Sequence, residues 1–273
     1  MSAVKKPFFL TGSFGDIFCS FIMPSDNKAV TRAVVFFPPF AEEMNKSRRM
    51  VTLQAERLAN LGLACLIVDL YGTGDSQGDF GEASWEIWLD NMQTALHWLV
   101  AQGITRVTYW GLRLGALLAL QSVNSTTLAV EKIVLWQPVS RGDTVMTQFL
   151  RLRLAADLMT NGQKITPKDL RDTLTAGHAV EVAGYTLAPA LVTAIDGLDI
   201  TPLAQPGMPD IEWIELLPSE QRPMGAVSRK VIDSWQQSGM NVRTHCVIGE
   251  SFWVTPEITT VPNLLTITSD LIA

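Results

Sequence analysis

Tyr109-Trp110-Gly111-Leu112-Arg113-Leu114-Gly115-Ala116 joins a short apolar run, Arg106 to Trp110, to a segment of helical composition from Leu112 to Ser122. Its glycines flank one residue in the spacing Gly-x-z-x-Gly, which lets a strand turn abruptly into a helix and leaves the central side chain standing at the bend. The stretch reads as strand, elbow and helix, with Arg113 at the point of the elbow. Upstream, Ala33 to Phe37 and Leu63 to Leu70 are dense apolar runs expected to be buried strands. Between them Met50, Leu53, Leu58 and Leu61 recur near the helical period, so a helix is expected from about Ser47 to Leu61 with Gly62 as its stop. Ser84 can cap a helix whose Trp85, Trp88, Met92, Leu96 and Leu99 share one face before Gly103 ends it. Phe8 to Leu10 and Ile17 to Met23, parted by a Gly-Ser turn, form an expected opening hairpin.

Downstream, Ile133 to Trp136, Ile211 to Leu217 and Val242 to Ile248 are further strand candidates, with helices expected over Val227 to Trp235 and after Pro256. Regular alternation of strand and helix argues for a mostly parallel central sheet with helices on both faces. The rhythm breaks between about Gly142 and Pro209, where helical pieces with starts at Thr166-Pro167 and Thr186 follow one another without a convincing strand. The expected division is an α/β core over 1–141, an inserted helical cap over 142–209 and the rest of the core over 210–273. With the glycine loop Asp69-x-x-Gly72-x-Gly74-Asp75-Ser76-x-Gly78 behind the preceding strand, the chain resembles the α/β-hydrolase fold over most of its length.

Composition excludes several classes of function. The 273 residues are 47% hydrophobic and 18% charged, as expected of a folded chain with a large core. A net charge of −6 with no basic run beyond Lys5-Lys6 or Arg48-Arg49 argues against a nucleic-acid partner. No apolar stretch approaches the ~20 residues of a membrane span, and Phe8-Phe9-Leu10 is too short for a signal peptide, so a cytoplasmic address is expected. Cys19, Cys65 and Cys246 are odd in number and far apart, and read as buried, reduced thiols. No cofactor is expected. The third glycine of a dinucleotide fingerprint would fall at Gln77, a phosphate-binding loop is missing, and His97, His178 and His245 lack neighbours at metal-ligand spacing.

Phe37-Pro-Pro-Phe40-Ala-Glu42-Glu43-Met-Asn-Lys46-Ser-Arg-Arg-Met50, Gly111-Leu-Arg113-Leu-Gly115-Ala116, Trp136-Gln-Pro-Val139, Gln148-Phe-Leu-Arg151 and Gly249-Glu-Ser-Phe252-Trp253 resemble the exosortase A system-associated hydrolase 2 family. That resemblance implies a hydrolase by fold, found beside bacterial exosortase and exopolysaccharide gene sets. It supplies no substrate.

An elbow that attacks a carbonyl carries Ser, Cys or Asp, whereas the protonated guanidinium of Arg113 has no lone pair to attack with. The fold resemblance puts the general base in Gly249-Glu250-Ser251-Phe252-Trp253, which has no histidine; Glu250 and Ser251 are the polar groups it offers. Asp143 and Glu220 are candidate acids, but an acid without its histidine orients nothing. Ser76 reads as part of the glycine loop.

Three roles remain for Arg113. It can form an internal ion pair with Glu42, Glu43, Glu250 or Glu257. It can hold an anionic ligand such as a carboxylate or phosphate, helped by the backbone N–H groups near Leu114 and Phe40. It can also serve an atypical esterase or thioesterase, with Glu250 and a cap residue such as His178. Trp253, with Trp110 and Trp136, is a candidate wall for an apolar cleft. The expected partner is a small acyl-bearing, glycan-precursor or anionic molecule; a non-enzymatic interaction protein of the exosortase or exopolysaccharide system is the alternative from another class.

Overall fold

The computed structural model describes residues 3–25, 30–160 and 166–273, apart from the side chains of 155–160. The opening hairpin forms as β1 (Val4–Thr11) and β2 (Asp16–Met23), antiparallel with Val4 opposite Met23. Then come β3 (Arg32–Phe37), α1 (Glu42–Asn60), β4 (Ala64–Val68), α2 (Trp85–Ala101), β5 (Arg106–Leu112), α3 (Gly115–Ser122) and β6 (Ala129–Trp136). The inserted segment holds α4 (Gly142–Thr160), α5 (Pro167–Thr175), β7 (Val180–Val182), β8 (Tyr185–Leu187) and α6 (Pro189–Asp196). The chain closes with β9 (Asp210–Leu217), α7 (Ala226–Gln237), β10 (Val242–Ile248) and α8 (Pro262–Ile272).

Among the described residues the sheet has eight strands in the order β1-β2-β4-β3-β5-β6-β9-β10, and every pairing beyond β2 and β4 is parallel. Parallel strands buried on both faces read as continuous apolar runs, which is why Ala33 to Phe37 carries no alternation. Ala33, Val35 and Phe37 enter one core with α2 and α3, while Val34 and Phe36 enter the other with α1 and α8. The expected face of α2 is buried, and the Ser84 side chain accepts from the Ile87 N–H at 3.2 Å. Thr166 caps α5 with a reciprocal bond to Asp169. No helix among the described residues is long and apolar enough to cross a membrane.

Four expectations need correction. The first helix starts at Glu42 rather than Ser47, because its opening turn is polar and its buried Met44 and Ser47 do not complete an apolar stripe. The inserted segment is not wholly helical: β7 and β8 pair antiparallel. Thr186 lies in that hairpin, and the next helix starts at Pro189 behind Ala188. Cys246 is exposed, since β10 is an edge strand whose burial is broken along its length.

Aromatic rings tie the inserted segment to the core. Phe149 of α4 packs edge-on against Phe40 at 5.1 Å, and Tyr185 of β8 against Phe80 at 4.9 Å. The Tyr185 hydroxyl also donates to Glu42 and accepts from Asn45, both on α1.

Candidate functional site

The elbow forms because backbone passes where side chains cannot. A Cβ on Gly111 would lie 2.7 Å from the Ala116 Cα, and one on Gly115 only 2.1 Å from the Phe37 carbonyl oxygen. Both positions therefore require glycine, and α3 packs directly against the end of β3. Arg113 sits between them at φ 56°. Left-handed backbone costs a bulky residue roughly 1–3 kcal/mol, and a cation before a helix N-terminus adds a few tenths to about 1 kcal/mol. Its neighbours offset that strain.

The Arg113 Nε donates to Glu43 Oε1 at 3.1 Å, and its guanidinium carbon stands 5.4 Å from the centre of the Trp253 ring. One Nη makes a long 3.5 Å contact to Gln148 Oε1. The other Nη has no hydrogen-bond partner among the described residues. Glu43 belongs to the first turn of α1, where the helix dipole favours an acid. The ion pair thus joins the start of α1 to the elbow.

Around this pair lies a cavity of about 160 Å³ lined by Phe40, Glu42, Lys46, Val145, Phe149 and Leu152 as well as the pair itself, with Trp253 and Val254 opposite. Its lining mixes apolar side chains with the charged Glu42, Glu43, Lys46 and Arg113. Glu43 Oε2 is shut away from water and, among the described residues, has no hydrogen-bond partner. Burial pushes the Glu43 carboxyl above the usual carboxylate range, and the charge and hydrogen bond of Arg113 recover only part of that. Lys46 Nζ reaches the Val254 carbonyl at 3.4 Å across the rim, beside the exposed Leu152 and Val254.

Several expected site residues meet here and others do not. Of the four acids considered as partners for Arg113, the structure selects Glu43; Glu42 is taken by Tyr185. Phe40 and Leu114 are buried beside the pair, and among the described residues neither amide donates to another group. Trp253 lines the cavity, whereas Trp110 and Trp136 are fully buried core, packed edge to face with ring centres 4.6 Å apart. Glu250 and Ser251 are exposed and stand outside the cavity lining. His178 is also exposed, in the turn before β7, and does not reach the lining.

Asp143 pairs with Arg141 at the start of α4, and Glu220 is an exposed turn residue. Ser76 is structural: its hydroxyl donates to the Asp69 carbonyl at 2.6 Å and accepts from the Phe18 N–H at 2.8 Å. His245 lies within β10, bound through Nε2 to the buried Glu212 at 2.8 Å.

Sequence reasoning missed the α4 wall. Val145, Phe149 and Leu152 recur at helical spacing and mark a stripe facing the elbow, a signal that was present but had no elbow distance attached to it.

No family model and no curated protein sequence matches the chain. Among solved structures it resembles Est1E from Butyrivibrio proteoclasticus with ferulic acid bound, at 14% identity and a TM-score of 0.71 over 97% of both chains. It also resembles an alpha-beta serine hydrolase homologue from Coxiella burnetii, at 14% identity and a TM-score of 0.60 over 98% of this chain and 97% of that one. Mouse alpha/beta hydrolase domain-containing protein 10 is similar at 12% identity and a TM-score of 0.58, covering 98% of each. The chain has the α/β-hydrolase fold.

Proposed function

We propose that the protein is an exosortase-associated member of the α/β-hydrolase fold whose elbow site holds a small acyl-bearing, glycan-precursor or other anionic molecule and has given up hydrolysis by a serine, a histidine and an acid. The observation that carries this reading is the side chain of Arg113, which occupies the elbow position with its Nε on Glu43 and one Nη without a hydrogen-bond partner among the described residues, in the lining of a largely apolar cavity. A guanidinium keeps its proton at every biological pH and forms no acyl intermediate. Removing the nucleophile of a triad enzyme lowers its rate on the order of a millionfold. A cation in a cavity also walled by Val145, Phe149 and Leu152 instead fits a molecule with an anionic head and an apolar tail. The ferulic acid held by Est1E is an acid of that general character.

The test is turnover and binding measured together. Wild type, Arg113→Ala and Arg113→Ser are assayed on short and medium acyl esters and thioesters, with contaminating serine hydrolases blocked, and thermal stabilisation by octanoate is read on the same samples. Stabilisation of the wild type, lost in Arg113→Ala and accompanied by no turnover, is expected. Turnover that Arg113→Ala abolishes overturns the binding reading.

One observation favours a second reading, an atypical esterase. Burial holds the Glu43 carboxyl above the usual carboxylate range, so Glu43, in place of Glu250 or His178, would be the proton donor of such an esterase. Turnover lost in Glu43→Gln supports that alternative.

A further inference from the structure

Arg113 can recruit an anion only with the charge that Glu43 leaves it. The two carboxylates and two cations lining the cavity, Glu42, Glu43, Lys46 and Arg113, cancel when both acids are ionised. An anion entering that site would be a third negative group in a space walled by apolar side chains, sharing a guanidinium already bonded at 3.1 Å to the Glu43 carboxylate. The geometry offers one relief. Glu43 uses a single oxygen on Arg113, and its other oxygen lies out of reach of water with nothing donated to it. A proton on that oxygen removes a buried charge that Arg113 only partly compensates and releases Arg113 for the ligand.

We infer that the elbow site takes up one proton on Glu43 together with a monoanionic ligand, so that what binds is in sum a weak acid. This rests on the binding role proposed for Arg113 and names the charge class of the ligand. With Glu43 neutral the lining carries one net positive charge, which a monoanion balances and a dianion exceeds. The proton comes from solvent and no bond in the ligand changes. The raised titration of Glu43 agrees with this arrangement.

Among the described residues, the groups around Glu43 leave no other carrier. Arg113 faces it from the elbow and stays charged. On α1, Glu42 is bonded to Tyr185 and Lys46 turns to the Val254 carbonyl. Tyr185 of β8, pushed up to about 12 by burial and by Glu42, is protonated throughout the neutral range. Gln148 of α4 and Trp253 carry no titratable group, and no histidine lines the cavity.

The probe is octanoate, titrated by calorimetry from about pH 6, where it is fully ionised, to about pH 9, in two buffers of different ionisation enthalpy. Octanoate affinity is expected to fall by as much as about tenfold per pH unit over part of that range, with up to one proton taken up per molecule bound. Glu43→Gln, which imitates the protonated acid, is expected to flatten the profile and abolish the uptake. Binding that is measurable but independent of pH, with no proton uptake by the wild type, overturns the inference while leaving the binding role of Arg113 standing. Failure to bind octanoate at any pH overturns both. A Glu43→Gln profile as steep as that of the wild type assigns the proton elsewhere and overturns the inference alone. The proton count on the wild type decides the matter even if the variant does not fold.

Discussion

Replacing Arg113 with Met isolates what the ion pair does for the fold. Methionine keeps an unbranched apolar stem at the elbow and shares the left-handed strain, so the comparison removes mainly the charge. What is lost at once is the Nε bond to Glu43 and the stacking on Trp253, together about 1–3 kcal/mol. The larger effect depends on pH. The folded-state titration of Glu43 lies above its unfolded value, so its contribution to stability is fully present below the unfolded value and is lost as pH rises through the folded one.

Without Arg113, burial acts on Glu43 unopposed and its folded value rises further. The gap between variant and wild type therefore opens as pH climbs through the wild-type value of Glu43, and tends toward the roughly 3–5 kcal/mol of a broken buried pair. Denaturant unfolding at the acidic and the alkaline end of a pH series that brackets the Glu43 titration measures both limits, with a melting temperature lowered by about 2–4 °C for each kcal/mol. Adding Glu43→Gln to Arg113→Met should recover most of the loss at the higher pH. The same loss at both pH values, or no recovery in the double variant, would refute the claim that Glu43 senses the Arg113 charge.

Other outcomes follow from particular contacts. Gly115→Ala should destabilise by about 3 kcal/mol or more on chemical unfolding, because its methyl would meet the Phe37 and Pro38 carbonyls, whereas Gly197→Ala, with nothing closer than 3.5 Å, should be close to neutral. A thiol reagent should modify Cys246 in the native protein and reach Cys19 and Cys65 only on unfolding, since the latter two are buried and burial raises their thiols, that of Cys19 to about 12. Burial pushes Glu212 up, but the bonds from Arg243 and His245 outweigh it and hold the carboxyl below its usual range. Stability from Glu212 is thus present above the unfolded carboxylate value and lost as pH falls through the folded one, and Glu212→Gln should blunt acid unfolding in that interval.

Much of the scaffold was legible because its signals are local. Continuous apolar runs mark β3 and β5, and Ser84 and Thr166 announce α2 and α5 through caps that need only three or four neighbouring residues. The hairpin of β7 and β8 was not legible, because three residues a side are too few to display a period. The site divides in the same way. Arg113 is read from Gly111 and Gly115 alone. Its partner could be narrowed to four acids but not to Glu43, since the choice depends on where α1 begins, and the polar first turn hides that start. Glu250 and His178 failed as partners for a related reason: chain position places a loop near a site, and only packing decides which way its side chains turn.

For the binding role proposed above, the aromatic ties between the inserted segment and the core would govern how a ligand comes and goes. Lifting α4 and β8 off the core would expose Phe40, Phe80 and Phe149, at about 1.5–3 kcal/mol for each ring. An opened state of that kind is populated by on the order of one molecule in a thousand to one in a million. The segment is consequently a fixed wall rather than a door. Exchange of the proposed ligand would then run past Lys46, Leu152 and Val254, whose rotations take picoseconds to nanoseconds, so arrival would be limited by encounter and residence by the strength of the hold on Arg113.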